Sequence, residues 1–275
     1  MARSFEFSRK VIFLKVNKVE RELQMKSKYI SLIVVIVILT TAIFYYTKNQ
    51  ESQEVDVFIS NYEGYVAGYV NDTIVLTVYW LRSYDNFGGV YGVRNLPDCL
   101  EVEGIDTSSI DTNSKVRVES ISILLRLKKA GKCTLKNAYL EIRQGNFTRK
   151  ASLGEIEFTI LNPSERNLKV IASIEASIGS EPAVPKLMYT ILNPLNESVE
   201  IVNVTFRVPG LKVLDFEPKE IPPGKTANLT VIIENTSELN ELYIIKPLLI
   251  YKIGRREEIE EMPLEVFHYA QLPRG

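Results

Sequence analysis

The sequence predicts a mainly β chain in which one N-terminal transmembrane helix precedes two tandem β-sandwich domains. Residues 29–46, YISLIVVIVILTTAIFYY, form an uncharged apolar run. Beyond that run, short segments rich in Val, Ile, Leu and Tyr alternate apolar with polar residues, as half-buried strands do. Gly, Pro, Asn and Asp cluster between those segments, where tight turns need them. These three observations predict the fold class.

The apolar run is long enough to cross a bilayer once. As a helix that rises about 1.5 Å per residue, residues 29–46 reach about 27 Å, close to the ~30 Å hydrocarbon core. Tyr29 at one end and Tyr45 and Tyr46 at the other stand where aromatic side chains favour the membrane interface. A cleaved signal peptide is the alternative, above all if translation starts at Met25, although no A-x-A cleavage pattern follows the run.

The charges on either side of the run predict its orientation. Residues 1–28 carry many more Lys and Arg than Asp and Glu, and basic flanks remain in the cytoplasm. We therefore predict a basic cytoplasmic tail at residues 1–28, a single-pass anchor in the cell membrane at 29–46, a polar stalk at 47–54 and an extracytoplasmic remainder.

Composition limits what the remainder can be. The formal net charge of −1 provides no concentrated basic surface, so nucleic acid is not an expected partner. A hydrophobic content of 45% is typical of a folded ectodomain and not of a disordered stalk. Because Pro163 cannot donate to a β-ladder, we place a boundary there, between a first domain at residues 55–162 and a second at 163–275.

The chain has 2 cysteines, Cys99 and Cys133, and both follow the predicted span. In an oxidising compartment, a single pair predicts a disulfide. Two buried free thiols are the alternative that spacing leaves open. A metal site is not expected, because no third Cys or neighbouring His accompanies the pair.

Glycosylation sequons also lie beyond the span. An Asn-X-Ser/Thr triplet without proline is an N-glycan acceptor in a chain exported to a glycosylating exterior, although Thr-rich strands also produce such triplets by chance. The triplets begin at Asn71, Asn146, Asn196, Asn203, Asn228 and Asn235.

Strand-like segments fill both predicted domains. In the first domain they are residues 55–60, 65–70, 73–81, 115–126, 134–142 and 153–161. In the second they are residues 168–178, 186–192, 199–208, 211–216, 226–234, 242–253 and 257–269. Within residues 168–178, apolar and polar residues alternate, which predicts one buried and one exposed face. Asp106 and Asp111 belong to a segment, GIDTSSIDTNSK, that we interpret as a polar turn, with a calcium loop as the weaker alternative.

The second domain resembles a known family of modules. LMYTILNPLNESVEIVNVTF at residues 187–206 and IPPGKTANLTVII at residues 221–233 are similar to prokaryotic extracellular immunoglobulin-like modules of the cell-adhesion-related type. In those modules an Asn-rich hairpin joins two strands and a Pro-Gly turn precedes the next. The resemblance covers about residues 165–270, and it implies an immunoglobulin-like sandwich with a role at the cell surface, without assigning functional residues.

Aromatic residues concentrate between residues 62 and 91. Exposed rings can stack on sugars or anchor a protein interface. Tyr79 and Trp80 are adjacent in a predicted strand, so they face opposite sides, one toward the core and the other toward a partner. The residues that we consider for contact with a partner or ligand are Trp80, Tyr84, Phe87 and Tyr91.

The sequence contains no recognisable catalytic motif. His268 is the only histidine, and it lies in the predicted last strand, where an ordinary surface position is expected. We predict no catalytic residue, no metal and no cofactor. The leading hypothesis is a membrane-anchored surface protein that acts as a structural and interaction module for another envelope or membrane protein. The alternatives are a carbohydrate-binding ectodomain and an accessory subunit of a membrane or envelope enzyme complex.

Overall fold

The structure is a computed structural model that describes residues 56–83, 88–111, 116–145, 147–173, 176–179, 184–237, 239–240 and 242–269. Within these ranges the chain is built from strands and turns and contains no helix. The predicted tail, span and stalk lie outside the described residues, as do Tyr84, Phe87 and Asn146.

Strands follow one another along the whole described chain, as the sequence predicts. The first ten are β1 (Asp56–Ile59), β2 (Tyr62–Tyr69), β3 (Thr73–Ser83), β4 (Gly89–Arg94), β5 (Leu100–Asp111), β6 (Val116–Leu127), β7 (Gly131–Leu135), β8 (Tyr139–Gln144), β9 (Phe147–Ser152) and β10 (Gly154–Leu161). The others are β11 (Lys169–Ser173), β12 (Ala176–Gly179), β13 (Leu187–Leu192), β14 (Val199–Thr205), β15 (Leu211–Glu217), β16 (Glu220–Ile221), β17 (Thr226–Asn235), β18 (Leu242–Lys246), β19 (Leu248–Ile253), β20 (Arg256–Glu261) and β21 (Glu265–Tyr269).

The described strands form 3-, 4- and 6-stranded sheets. Their orders are β1-β3-β6-β5, β4-β8-β9, β12-β21-β18-β2-β10-β7, β11-β13-β17-β15 and β16-β14-β19-β20. We call the six-stranded sheet the central sheet, because its middle strands contribute side chains to two separate hydrophobic cores.

Strand β2 shows how the central sheet serves both cores. It pairs in parallel with β10 on one side and with β18 on the other. Because successive side chains of a strand point to opposite faces, Tyr62 and Val66 enter the first core while Tyr65 and Ala67 enter the second. Both faces of β2 are therefore buried, which explains its nearly continuous apolar sequence.

The boundary predicted near residue 163 lies in the connection between β10 and β11. Strands from either side of it share the central sheet, where β2 and β10 come from the first half and β18 and β21 from the second. The two halves thus meet along hydrogen-bonded strands. That each half is a domain in its own right stays a prediction.

Two long predicted strands near the C-terminus are corrected. Residues 242–253 form β18 and β19, and residues 257–269 form β20 and β21, with the members of each pair in different sheets. Pro247 lies between the first pair and Pro263 between the second, and neither can donate to a ladder. The amide of Met262 donates to the carbonyl of Pro247 at 2.9 Å. The two places where the chain passes from one sheet to the other therefore lie next to each other.

Two other predicted strands are also divided. Residues 134–142 contribute to β7 and β8, which turn at Asn137 with a φ of 61°. Residues 168–178 contribute to β11 and β12, which lie in different sheets. A β-bulge between Val170 and Ala172 breaks the expected alternation in β11, and Ala172 is exposed instead of buried.

The interpretation of residues 104–115 as a polar turn is wrong for the part that the structure describes. Asp106 and Asp111 belong to β5, whose long ladder with β6 places them opposite Ser122 and Arg117. Because cross-strand pairing satisfies the backbone, a Ser- and Thr-rich segment can remain extended at a sheet edge.

Candidate interaction surface

The β4-β8-β9 sheet turns one face to the first core and the other to solvent. Leu140 and Ile142 of β8 and Ala151 of β9 are buried in that core. Residues alternating with them point outward. We call this outward surface the cationic face, and it comprises Tyr91, Arg94, Tyr139, Arg143 and Lys150.

Tyr91 reaches the cationic face because β4 contains a β-bulge. Val90 lies opposite Ile142 and Gly92 lies opposite Glu141, so Tyr91 is the extra residue between them. Gly92 adopts a φ of 151°, which a residue without Cβ tolerates. The bulge leaves Tyr91 52% exposed.

Two arginines surround the Tyr91 ring. The guanidinium carbon of Arg143 lies 3.3 Å from the ring centroid, and that of Arg94 lies 5.2 Å away. Both arginines also donate to Glu141, Arg94 Nε at 2.7 Å and Arg143 Nε at 3.2 Å. The hydrogen bond from Arg94 is the main cause that lowers the pKa of Glu141, so this carboxylate stays charged and orients both cations.

A second cation and ring lie beside the first. Lys150 Nζ lies 4.6 Å from the centroid of Tyr139. With Arg94, Arg143 and Lys150 opposed by Glu141, the cationic face carries excess positive charge on a chain whose net charge is −1. Such a face attracts carboxylate or phosphate groups, and guanidinium edges bind them in a bidentate manner.

Trp80 requires a correction, because its ring is 0% exposed and cannot contact a partner. Trp80 Nε1 donates to Asp56 at 2.7 Å, Phe58 stacks on the ring at 5.4 Å, and the Arg82 guanidinium lies 4.4 Å from its centroid. A Cβ on Gly88 would lie 2.7 Å from the ring, so Trp80 supports the start of β4 from beneath. Its part is to position the cationic face.

The other aromatic residues of this region are mostly internal. Tyr62, Tyr65 and Tyr69 are buried, and Tyr79 is half-buried. Tyr84 and Phe87 lie outside the described residues. Among the described aromatic residues between 62 and 91, Tyr91 is the most exposed, so it is the predicted contact residue that the structure places on a surface.

The predicted disulfide is present between Cys99 and Cys133. Cys99 immediately precedes β5, and Cys133 lies in β7 opposite Phe158 of the central sheet. The bond therefore connects the β1-β3-β6-β5 sheet to the central sheet across the first core.

The sequon asparagines that the structure describes are all exposed. Asn71 lies in a turn with a φ of 75°, whereas Asn203 and Asn228 lie on the solvent faces of β14 and β17. Asn228 and Thr230 line a shallow open depression together with Lys219. This exposure is what glycosylation requires, and glycosylation itself stays a prediction.

The buried Glu265 was not predicted from the sequence. This residue of β21 is 0% exposed, and neither carboxyl oxygen has a hydrogen-bond partner within the described part of the chain. Burial raises the pKa of Glu265 to about 9, and the neighbouring Tyr189 hydroxyl offsets this only partly. The sequence shows only a single Glu in the strand EVFHY. A surface strand would show the same pattern, so the burial of Glu265 could not be inferred from it.

The residues that the structure describes contain no cluster of His, Cys, Asp and Glu that could hold a metal ion. They also contain no helix with the length and apolarity to cross a bilayer, and residues 29–46 lie outside them. His268 lies in β21, as the sequence predicts.

The arginines and lysine of the cationic face were missed at the level of sequence. Arg94, Arg143 and Lys150 come from three strands, and only the β4-β8-β9 pairing brings them together. Alternation in YLEIRQ could have indicated that Arg143 points away from the core.

No protein-family model matches the sequence, and no curated protein matches it. Among solved structures, a protein of unknown function from Porphyromonas gingivalis is 13% identical, covering 78% of this chain and 99% of its own, with a TM-score of 0.29. The titin domains z1z2 in complex with telethonin are 8% identical, covering 81% of this chain and 100% of their own, with a TM-score of 0.23. The tandem Ig repeats of Dlar are 10% identical, covering 80% and 100% respectively, with a TM-score of 0.23. Similarities of this size support no conclusion about function, and the resemblance to cell-adhesion-related modules stays a prediction.

Proposed function

We propose that this chain is a single-pass, membrane-anchored extracytoplasmic protein whose β-sandwiches bind another envelope or membrane protein. The observation that carries the proposal is the cationic face, in which Tyr91 and Arg143 form an exposed pair held in place by Glu141. Tyr and Arg are among the residues that most often dominate the binding energy of protein interfaces.

The proposed location rests on the sequence and on the disulfide. The basic residues before position 29 and the apolar run at 29–46 favour a cytoplasmic N-terminus. Cys99 and Cys133 follow the run, and a stable disulfide is typical of oxidising compartments. Protease treatment of whole cells tests this location, because protection of residues 55–275 would contradict it.

A protein partner is favoured over a sugar by the geometry at Tyr91. A sugar that stacks on an aromatic residue needs an open ring face. The Arg143 guanidinium lies 3.3 Å from the ring centroid and that of Arg94 lies 5.2 Å from it, so a sugar has to compete with two cations for the ring. An acidic protein segment can instead bind the edges of Arg143 and Arg94 while the stack persists.

Site-directed photo-cross-linking in intact membranes tests the proposal. A photo-reactive phenylalanine analogue replaces Tyr91, and in the control it replaces Leu214, which is 63% exposed on β15 in the other half. We expect one protein to be captured from position 91 and not from position 214, and mass spectrometry identifies it.

Replacing Arg143 provides a second test, in which the amount of protein captured from position 91 is measured. Arg143→Ala should reduce capture from position 91 about tenfold, which corresponds to a loss of about 1.4 kcal/mol. Arg207→Ala removes an exposed cation elsewhere and should leave capture unchanged. Equal capture by both variants, or no specific protein at all, would count against the proposal.

A further inference from the structure

Two edge strands in different halves of the molecule carry opposite charges. Strand β9 is an end strand of the β4-β8-β9 sheet, and β20 is an end strand of the β16-β14-β19-β20 sheet. In the described part of the chain, each pairs with a neighbour on one side only. An edge strand presents backbone N–H and C=O groups to which another strand can add.

Strand β9 is exposed and basic. From Phe147 through Lys150 its side chains are exposed, with Phe147 at 74%. Arg149 and Lys150 are its charged residues, and Arg143 lies opposite Thr148 on the adjacent strand. Two copies of β9 would repel one another, because like charges directly opposite each other destabilise a strand pair.

Strand β20 has the complementary character. Glu257 is exposed, Glu258 is half-buried, and Ile259 is 40% exposed. The last two residues, Glu260 and Glu261, instead contact the connection at residues 166–168. The first part of β20 is therefore the accessible part, and within it Glu258 already contacts Arg256 at 2.5 Å, which leaves Glu257 as its unengaged acidic residue in the described chain.

The two strands match in one antiparallel register. When Arg149 stands opposite Glu258, Lys150 stands opposite Glu257 and Thr148 opposite Ile259. Opposite-charge pairs across a ladder stabilise the pairing of the two strands. Arg149 already contacts Asp56 at 2.8 Å, so part of its charge is engaged within the chain and the contact between copies is correspondingly weaker.

We propose that β9 of one copy adds to β20 of a second copy, so that the chain assembles head to tail through edge-strand pairing. The two strands lie on different sheets, so the contact is heterologous and it leaves one free strand of each kind at the ends. This assembly uses Lys150 of the cationic face but neither Tyr91 nor Arg143, so the Tyr91 cross-link and the mass of the assembly can succeed or fail separately.

Charge reversal on the full-length chain in neutral detergent tests this proposal. Multi-angle light scattering should show a mass that rises with protein concentration and falls between ~0.05 and ~0.5 M salt, where ion pairs are screened. The variant Arg149→Glu with Lys150→Glu should raise the apparent dissociation constant at least tenfold, and so should Glu257→Lys with Glu258→Lys.

Mixing the two variants provides the decisive result. Each interface in the mixture again joins opposite charges, so the mass should recover although neither variant assembles alone. This recovery also shows that both variants are folded. The control, Lys128→Glu with Lys129→Glu, makes the same charge change outside the strands and should assemble like the unmodified chain.

Three outcomes would overturn the proposal. The first is a monomer at every concentration in low salt, and the second is assembly that neither reversal weakens. The third is association that requires phosphatidylglycerol vesicles and disappears in neutral detergent, which would assign β9 to an anionic lipid surface.

Discussion

The two cores share the central sheet, yet they differ in their covalent cross-link and in how their polar groups are paired. In the first core, the Cys99–Cys133 bond spans the sheets, and Trp80 Nε1 donates to Asp56. In the second, the chain has no further cysteine to use, and the carboxyl of Glu265 is buried without a hydrogen-bond partner in the described chain. The stability of the first half should therefore depend on whether the disulfide is reduced, and the stability of the second half should depend on pH.

A polar network reinforces the second half where the chain enters it. The Tyr251 hydroxyl and the backbone N–H of Asn167 both donate to Glu260 Oε1 at 2.5 Å, and the backbone N–H of Leu168 donates to it at 3.3 Å. Burial, followed by the hydrogen bond to Glu260, raises the pKa of Tyr251, so its hydroxyl remains a donor. The connection between the halves is thereby fixed to β20.

Removing the disulfide should produce the largest effect. The bond joins residues with a sequence separation of 34, and closing a loop of that length stabilises a fold by about 3 to 4 kcal/mol. Cys99→Ser with Cys133→Ser should destabilise the first half by that amount. Fluorescence of Trp80, the only tryptophan, reports this core in a denaturant titration.

Reduction of the unmodified chain is the matched comparison for the double variant. The reduced chain and the double variant should both unfold at the same, lower denaturant concentration. A midpoint that reduction leaves unchanged would mean that the bond adds nothing to the stability of the first core.

Gly64→Ala should disturb both cores at once, with a cost of about 3 kcal/mol. A Cβ at Gly64 would lie 2.3 Å from Ile244 Cγ2 and 2.4 Å from the Ile244 carbonyl oxygen, on the strand that joins β2 to the other half. The backbone oxygen cannot move aside unless β18 shifts. Hydrogen exchange should therefore show lost protection in β6 and in β13 alike.

Gly89→Ala is the control for this substitution, since nothing lies within 4 Å of the added carbon. It should change stability by less than about 0.5 kcal/mol. If Gly64→Ala reduced protection in one half alone, the central sheet would not couple the two cores.

Glu265 should make the second half less stable as the pH rises. Its pKa is about 9 in the folded chain against an ordinary value of 4.5, so the folded state holds a proton that the unfolded state releases. The resulting stability is fully present below about pH 4.5 and is lost as the pH rises toward 9, by on the order of 1 kcal/mol per pH unit.

Glu265→Gln removes the ionisable group and should flatten this dependence, so that its stability relative to the original chain increases as the pH rises from 5 to 8. Urea titrations at pH 5, 6.5 and 8, followed by circular dichroism, measure the difference. The exposed Glu234→Gln serves as the control and should keep the original slope. Parallel slopes for the original chain and Glu265→Gln would show that Glu265 is not buried as a neutral acid.

Local pattern predicted the strands well where one face of a strand is buried. Residues 187–192 and 226–235 were expected almost to the residue, because alternation there matches the buried and exposed faces. The break between β18 and β19 at Pro247 was not predicted, since apolar residues continue on both sides of it and the two strands differ only in the sheet that they join. Of the candidate site, Tyr91 was expected from sequence and its cationic neighbours were not.

Sequence alone was enough to predict the mainly β character, the positions of most turns and the cysteine pair, because they can be read from alternation, turn residues and the number of cysteines. The folded structure was needed to show that β2 and β18 pair, that Trp80 is internal and that Arg143 covers Tyr91. Each of these depends on contacts between residues far apart in the chain, and a period of two assigns a side chain to a face without saying what lies against it.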